Sequence, residues 1–383
     1  MSMAPDRRNF LAGAGLLLAA PRVLFARAAT ERRFVFILQR GAADGLNTVV
    51  PYAEPAYASL RGALAVDAAA ALRLDGTFAL HPALVEFARL HGAGQALVVH
   101  AVASPYRERS HFDGQNVLET GGAAPYQLKD GWMNRLLALL PRAGKEAIAF
   151  APSVPLALRG AHEVASYAPS ALPQASDDLL LRVQQLYAAD PQLHALWSAA
   201  MDARGMAGER GPGGNRQNPA VLGRTAANFL AQPDGPRIAM IETGGWDTHS
   251  AQTARLNAQL RGLDAMMAAL REGLGAAWSQ TVVLVATEFG RTAAANGTGG
   301  TDHGTGSAAL LAGGAVQGGR VIADWPGLAT SALHEGRDLR PTLGLDALIA
   351  AVAGDTFGLD RDRVARTLFP QTIPGNRLPR LVA

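Results

Sequence analysis

No cysteine occurs anywhere in the 383 residues. That absence excludes disulfides, thiolate metal ligands and a cysteine nucleophile at once. The chain also lacks an evident linker, an internal repeat, or a low-complexity tract beyond an alanine bias. Outside the N-terminal leader no stretch is apolar enough to span a bilayer. With 49% hydrophobic residues there is ample material for a core. A chain of this length without a linker is expected to form one large α/β domain, here residues 29–383.

The N-terminus carries Asp6-Arg7-Arg8-Asn9-Phe10, then the apolar run LAGAGLLLAA, then Ala26-Arg27-Ala28. A basic head, a short apolar middle and an A-x-A cut describe an export signal over residues 1–28. The paired arginines followed by Asn-Phe-Leu resemble a twin-arginine leader, the kind that passes folded proteins to the twin-arginine export machinery. The expected location is the periplasm, with no stable membrane span after cleavage; an uncleaved anchor is the alternative. Cutting after Ala28 removes four arginines and one aspartate, so the formal charge of +3 falls to zero. The basic pI belongs to the leader, and the mature chain shows no charge excess that would call for a nucleic-acid partner.

Four apolar, β-prone runs punctuate the mature chain, and polar groups follow each. Arg33 to Leu38 leads into QRGAADGLNTVVPY with Asp44 and Asn47. Asp44 reads as a site carboxylate or as a turn residue before glycine. Gln95 to Ala103 leads through Pro105, Arg107 and Arg109 to Ser110, before a helix expected from His111 to about Glu119. Ser110 reads as an exposed nucleophile at a helix N-terminus or as an ordinary N-cap. Arg237 to Glu242 leads into TGGWDTHSAQ, with Asp247 and His249 ahead of a helix expected over Ala251 to Leu274; His249 is a site residue, a surface residue or a cap. Thr281 to Ala286 leads into TEFGRTAAANGTGGTDHG, which gathers Glu288, Arg291, Asn296, Asp302 and His303. That loop is a metal or phosphate site, or a polar surface loop.

Between these lie short helices expected over Pro55 to Leu64, Pro82 to Leu90 and Trp132 to Leu140. A helical pair over Asp177 to Asp202 breaks at Asp190-Pro191, and Gly208 to Pro219 is a Gly/Pro-rich loop. A fifth strand is expected at Ala308 to Leu311, with helices after Pro341. A parallel sheet carrying the polar groups at its carboxyl edge would collect them in one cleft. A two-metal hydrolase is the chemistry such a collection suggests.

RGAADGLNTVVPY, SHFDGQNVLETG, GGWDTHSAQ, TEFGRT and GGTDHG, in that order and behind such a leader, resemble a large bacterial family, the twin-arginine-exported domain of unknown function 1501. That family is related to the alkaline phosphatase and sulfatase superfamily. The resemblance implies an alkaline-phosphatase-like α/β fold with a mainly parallel central sheet flanked by helices. It implies a metal-dependent hydrolase of phosphate or sulfate esters, acting on a small anionic ester with one or two divalent ions (Zn, Mg, Mn or Ca). Carried onto this chain, Ser110 is the nucleophile and Arg107, Arg109 or Arg291 balance charge. Asp44, Asp247, His249, Glu288, Asp302 and His303 are the metal-ligand candidates. Two departures stand out: Ala251 where phosphatases place a histidine, and Phe289 where the superfamily has the histidine adjoining its aspartate. Phe cannot ligate, so the other implied reading is a non-catalytic binding or assembly protein on a degenerate scaffold. A sulfatase needing formylglycine is disfavoured, because there is no Cys and Ser104-Pro105-Tyr106-Arg107 lacks the Ser-x-Pro-x-Arg spacing.

Overall fold

The computed structural model describes residues 30–141, 146–168, 177–188, 190–206, 218–372 and 378–383. The leader expected over residues 1–28, and the loop expected at Gly208 to Pro219 apart from its last two residues, lie outside these.

The architecture is α/β, with a largely parallel central sheet covered by helices on both faces. Its nine strands are β1 (Arg33–Gln39), β2 (Ala96–Ala103), β3 (Ala147–Phe150), β4 (Ala165–Ser166), β5 (Ile238–Thr243), β6 (Thr281–Thr287), β7 (Ser307–Ala312), β8 (Arg320–Ile322) and β9 (Leu343–Gly344). They lie in the order β8-β2-β7-β6-β1-β5-β3-β4, with β9 on β2. Every pairing is parallel except those of β7, which runs against both β2 and β6. The period-two alternation explains why β1 is buried along its whole length. Phe34, Phe36 and Leu38 face one core and Val35 and Ile37 the other.

The α-helices of six or more residues among the described ones are α1 (Val85–Gly92), α2 (His111–Thr120), α3 (Trp132–Leu137), α4 (Asp177–Tyr187), α5 (Pro191–Met206), α6 (Pro219–Leu230), α7 (Gln252–Leu274), α8 (Leu345–Phe357) and α9 (Arg361–Leu368). Trp132 of α3 packs with α8 and α9 on one face of the sheet, while α1, α6 and α7 cover the other. No helix among the described residues is long and apolar enough to cross a membrane.

Several expected elements change their ends. The helix from Trp132 stops at Leu137, because Leu140 precedes Pro141 and that position disfavours helical backbone. The Pro55 to Leu64 segment is a short helix, Tyr57–Arg61, followed by a 3₁₀ turn, Gly62–Leu64. The fifth strand, β7, is antiparallel, a direction that residue periodicity does not encode.

Candidate metal centre

Because β1, β2, β5 and β6 are parallel, the loops that leave them emerge at one edge of the sheet. Gly41, in the loop after β1, lies at φ 117, a region that favours glycine. A Cβ there would meet the Asp247 backbone nitrogen at 2.7 Å, so only glycine lets the β1 and β5 loops touch. Its N–H donates to Glu288 Oε1 at 2.8 Å, tying the β6 loop to the same point.

Asp247 is the centre of the cluster. Its Oδ1 lies 3.0 Å from His249 Nε2 and 3.3 Å from His303 Nε2, and its Oδ2 lies 3.5 Å from His111 Nε2. The Nε2 atoms of His249 and His303 are 2.9 Å apart. One ligand atom each from His111, Asp247 and His303 can be chosen so that all lie within 4.8 Å of one another.

The far side of each imidazole faces an acceptor. His111 Nδ1 lies 2.8 Å from Glu288 Oε1, His303 Nδ1 2.8 Å from the Arg109 carbonyl, and His249 Nδ1 3.1 Å from Asp302 Oδ1. Carboxylates and carbonyls only accept, so each Nδ1 donates; with an ion bound, each ring would turn an Nε2 lone pair toward it. His111 Nε2 is buried and makes no hydrogen bond. Three imidazoles and one carboxylate, the latter held on Oδ1 by the Arg291 guanidinium, gather several ligand atoms at one point.

Ligands at about 2.1 Å in a tetrahedral shell stand roughly 3.4 Å apart; four of the separations here are 2.9–3.5 Å, and His111, Asp247 and His303 together fall within 4.8 Å. A shell of nitrogens with one oxygen suits zinc better than magnesium or calcium, which prefer all-oxygen shells.

The charges agree with this arrangement. Hydrogen bonding to Glu288 pushes the His111 pKa up against the effect of burial. Burial pulls Glu288 upward, but His111, Gln115 and the Gly41 N–H hold it below the ordinary carboxylate range. Burial likewise raises Asp247, and the Arg291 guanidinium with the neighbouring imidazoles outweighs it and lowers the carboxyl. Asp302 is lowered by the Asn296 amide and by His249, while burial and nearby positive charge push His303 down.

The candidates named from sequence therefore separate. Asp247, His249, Asp302 and His303 lie together; Glu288, 0% exposed, sits behind His111. Asp44 pairs with the buried Arg61 and caps the short helix Gly45–Thr48. Of the arginines, Arg291 touches the cluster, with Nη1 donating to Asp247 Oδ1 at 2.6 Å. Arg109 points to Asp338 and Glu335, although its carbonyl holds His303. Arg107 donates to the Ser104 and Tyr106 carbonyls, and burial lowers its pKa. Ser110 occupies the N-cap position of α2 but makes no side-chain capping bond, so its hydroxyl is not consumed by the helix.

Sequence reasoning missed His111. The signal was available in Ser-His-Phe-Asp, where a histidine opens a helix at the end of a buried strand, but the serine beside it drew the chemistry. Phe289 is buried beneath the cluster, stacked on His111 with ring centroids 5.1 Å apart and 5.4 Å from His303. Where a second ligand is expected, the chain has a hydrophobic floor.

A model of the family described as Protein of unknown function (DUF1501) matches residues 31–369. No curated protein matches significantly in sequence. Among solved structures, the chain is similar to the zinc-bound C-terminal periplasmic domain of EcEptC from Escherichia coli (13% identity, TM-score 0.41, covering 94% of this chain and 96% of that one). It is also similar to a putative sulfatase from Bacteroides thetaiotaomicron (10%, TM-score 0.41, 91% and 76%). A third similar structure is a protein in the alkaline phosphatase superfamily from Vibrio parahaemolyticus (13%, TM-score 0.36, 81% and 69%). At these identities and TM-scores the likenesses say nothing about chemistry.

Proposed function

The chain belongs to the family described as Protein of unknown function (DUF1501), and from that premise we propose that it is an exported, metal-dependent hydrolase of phosphate or sulfate esters. The observation that carries this reading is the convergence of His111, His249 and His303 on Asp247, each ring anchored through Nδ1. In this reading residues 1–28 direct export to the periplasm through the twin-arginine machinery, residues 29–383 form one domain, and the partner is a small anionic ester.

His111, His303 and Asp247 would hold the ion, with His249 completing the shell. A divalent ion supplies Lewis-acid stabilisation of negative oxygen and lowers the pKa of a nearby hydroxyl. Ser110 precedes His111 at the start of α2, which puts its hydroxyl at the same end of the helix. The first-turn N–H groups of α2 favour an anionic oxygen there. Ser110 Oγ would attack phosphorus or sulfur as its proton passes to solvent, the ester oxygen would leave and take a proton from water, and a second water would cleave the seryl ester and restore the hydroxyl. Arg291 fixes Asp247 through Oδ1 and contributes positive charge beside the reacting group.

The test pairs metal content with activity against aryl phosphates and sulfates, for wild type and Ser110→Ala. Turnover that depends on metal and disappears in the variant supports the proposal. Phe289, which fills part of the expected ligand shell, favours a second reading, a metal-containing binding or assembly protein. A metal-loaded wild type that turns over no member of the panel would select it.

A further inference from the structure

Asp44 follows β1 and Asp247 follows β5, strands that are hydrogen-bonded neighbours. The Asp44 carboxylate, 1% exposed, already takes five donors. They are the N–H groups of Leu46 (3.0 Å) and Asn47 (3.2 Å), Gln252 Nε2 (2.5 Å), Arg61 Nη2 (3.0 Å) and Arg61 Nη1. A carboxylate has about four lone-pair sites, so none is left for a cation. Arg61 is itself 0% exposed. A guanidinium does not lose its proton in proteins and, unlike an ion, cannot dissociate.

We infer that Arg61 is a built-in cation on Asp44, one of the ligand candidates that the resemblance implies, so that the chain takes one divalent ion only. This rests on the metal-dependent reading of the cleft and adds its stoichiometry. The pair is joined to the cluster by hydrogen bonds. Gln252 Oε1 accepts from Thr301 Oγ1 at 2.6 Å, Thr301 Oγ1 accepts from Arg291 Nε at 3.1 Å, and Arg291 Nη1 donates to Asp247 at 2.6 Å. Asp44 thus acts on the site through Gln252, Thr301 and Arg291 as a positioning residue. The floor beside His111 is closed by Phe289, which offers no ligand atom to a second ion.

The experiment loads the full chain with zinc, removes excess by dialysis, and counts ions by native mass spectrometry and elemental analysis. Wild type is expected to hold one zinc per chain, and His303→Ala none while remaining folded by circular dichroism. Because Asp44→Asn alone leaves Arg61 buried without its partner and could fail to fold, the companion variant is the charge-neutral Asp44→Asn with Arg61→Gln. It should also hold one zinc. Two ions in wild type, falling to one in the double variant, would overturn the inference and leave the metal-dependent reading standing. A wild type that holds no zinc removes both.

Discussion

Asp44 and Asp247 are the same side chain at the ends of neighbouring parallel strands, each beside a buried arginine, and they differ in exposure and in their other partners. Asp44 is enclosed, with a covalently attached counter-charge in Arg61 and a set of donors that leaves nothing open. The Asp247 side chain is 41% exposed and faces three imidazoles, with the Arg291 guanidinium on its Oδ1. Position at a sheet edge therefore does not decide what a carboxylate does. The surroundings decide: the enclosed Asp44 has both oxygens taken by donors of the chain, whereas Asp247, although Arg291 holds its Oδ1, keeps Oδ2 at a half-exposed edge beside the His111 ring.

The largest expected effect sharpens this contrast through stability. Arg61→Ala should cost about 3–5 kcal/mol, because it strands the buried Asp44 charge, whereas Asp247→Ala removes a half-exposed carboxylate and leaves the Arg291 guanidinium on the Thr301 hydroxyl and carbonyl, so it should cost less in the metal-free state. Urea denaturation of both variants checks the order; equal losses would mean that the two carboxylates are not environmentally distinct.

Next come the anchors of the imidazoles. His111→Ala or His303→Ala should abolish tight zinc binding, and Glu288→Gln, which weakens the support behind His111, should reduce affinity by about 10–100-fold. Calorimetric titration with zinc provides the comparison. A Glu288→Gln loss as complete as that of His303→Ala would place Glu288 among the ligands.

The pH dependence of the metal-free chain is a smaller effect, with opposite signs on its two sides. His111 is raised on folding, so its contribution is fully present below the unfolded value, about 6.5, and is lost as pH rises through the folded value. Asp247, Glu288 and Asp302 are depressed, so theirs is present above their unfolded values, about 4, and is lost as pH falls through the folded ones. His303 and the buried His100, the latter lowered to about 4 by burial, oppose His111 as pH falls below about 6.5, so the His111 contribution in chelator is read as the difference between wild type and His111→Ala. Zinc should shift the stability of the wild type toward higher pH, because it competes with the proton on His111. Melting curves across pH check this, and an alkaline limb unchanged in His111→Ala would contradict it.

The smallest effect is on stability at Ser110. Since its side chain makes no capping bond, Ser110→Ala should change stability by no more than about 0.5 kcal/mol, less than the roughly 1 kcal/mol of a lost cap, while removing ester hydrolysis. A full cap-sized loss in thermal melting would restore the capping role.

Much of the fold was legible because its central strands are continuous apolar runs. Arg33 to Leu38, Gln95 to Ala103, Arg237 to Glu242 and Thr281 to Ala286 each fall within one or two residues of a strand in the structure. Ala147–Phe150 escaped notice because four residues with two alanines carry no period. The gathering of Asp247, His249, Asp302 and His303 was legible from Asp and His recurring after two such runs. The Arg61 partnership was not, because nothing local marks an arginine at the end of a short helix as the counter-charge of a carboxylate in an earlier turn. The anchoring of His111 by Glu288 joins residues 177 positions apart, and only the folded sheet brings them together.

The most direct measurement is anomalous diffraction at the zinc edge from crystals grown with zinc. The account predicts a single peak at the cluster, about 2.0–2.2 Å from His111 Nε2, His303 Nε2 and an Asp247 oxygen, with none at Asp44. A peak bonded to Asp44, or no peak among the histidines, would contradict it.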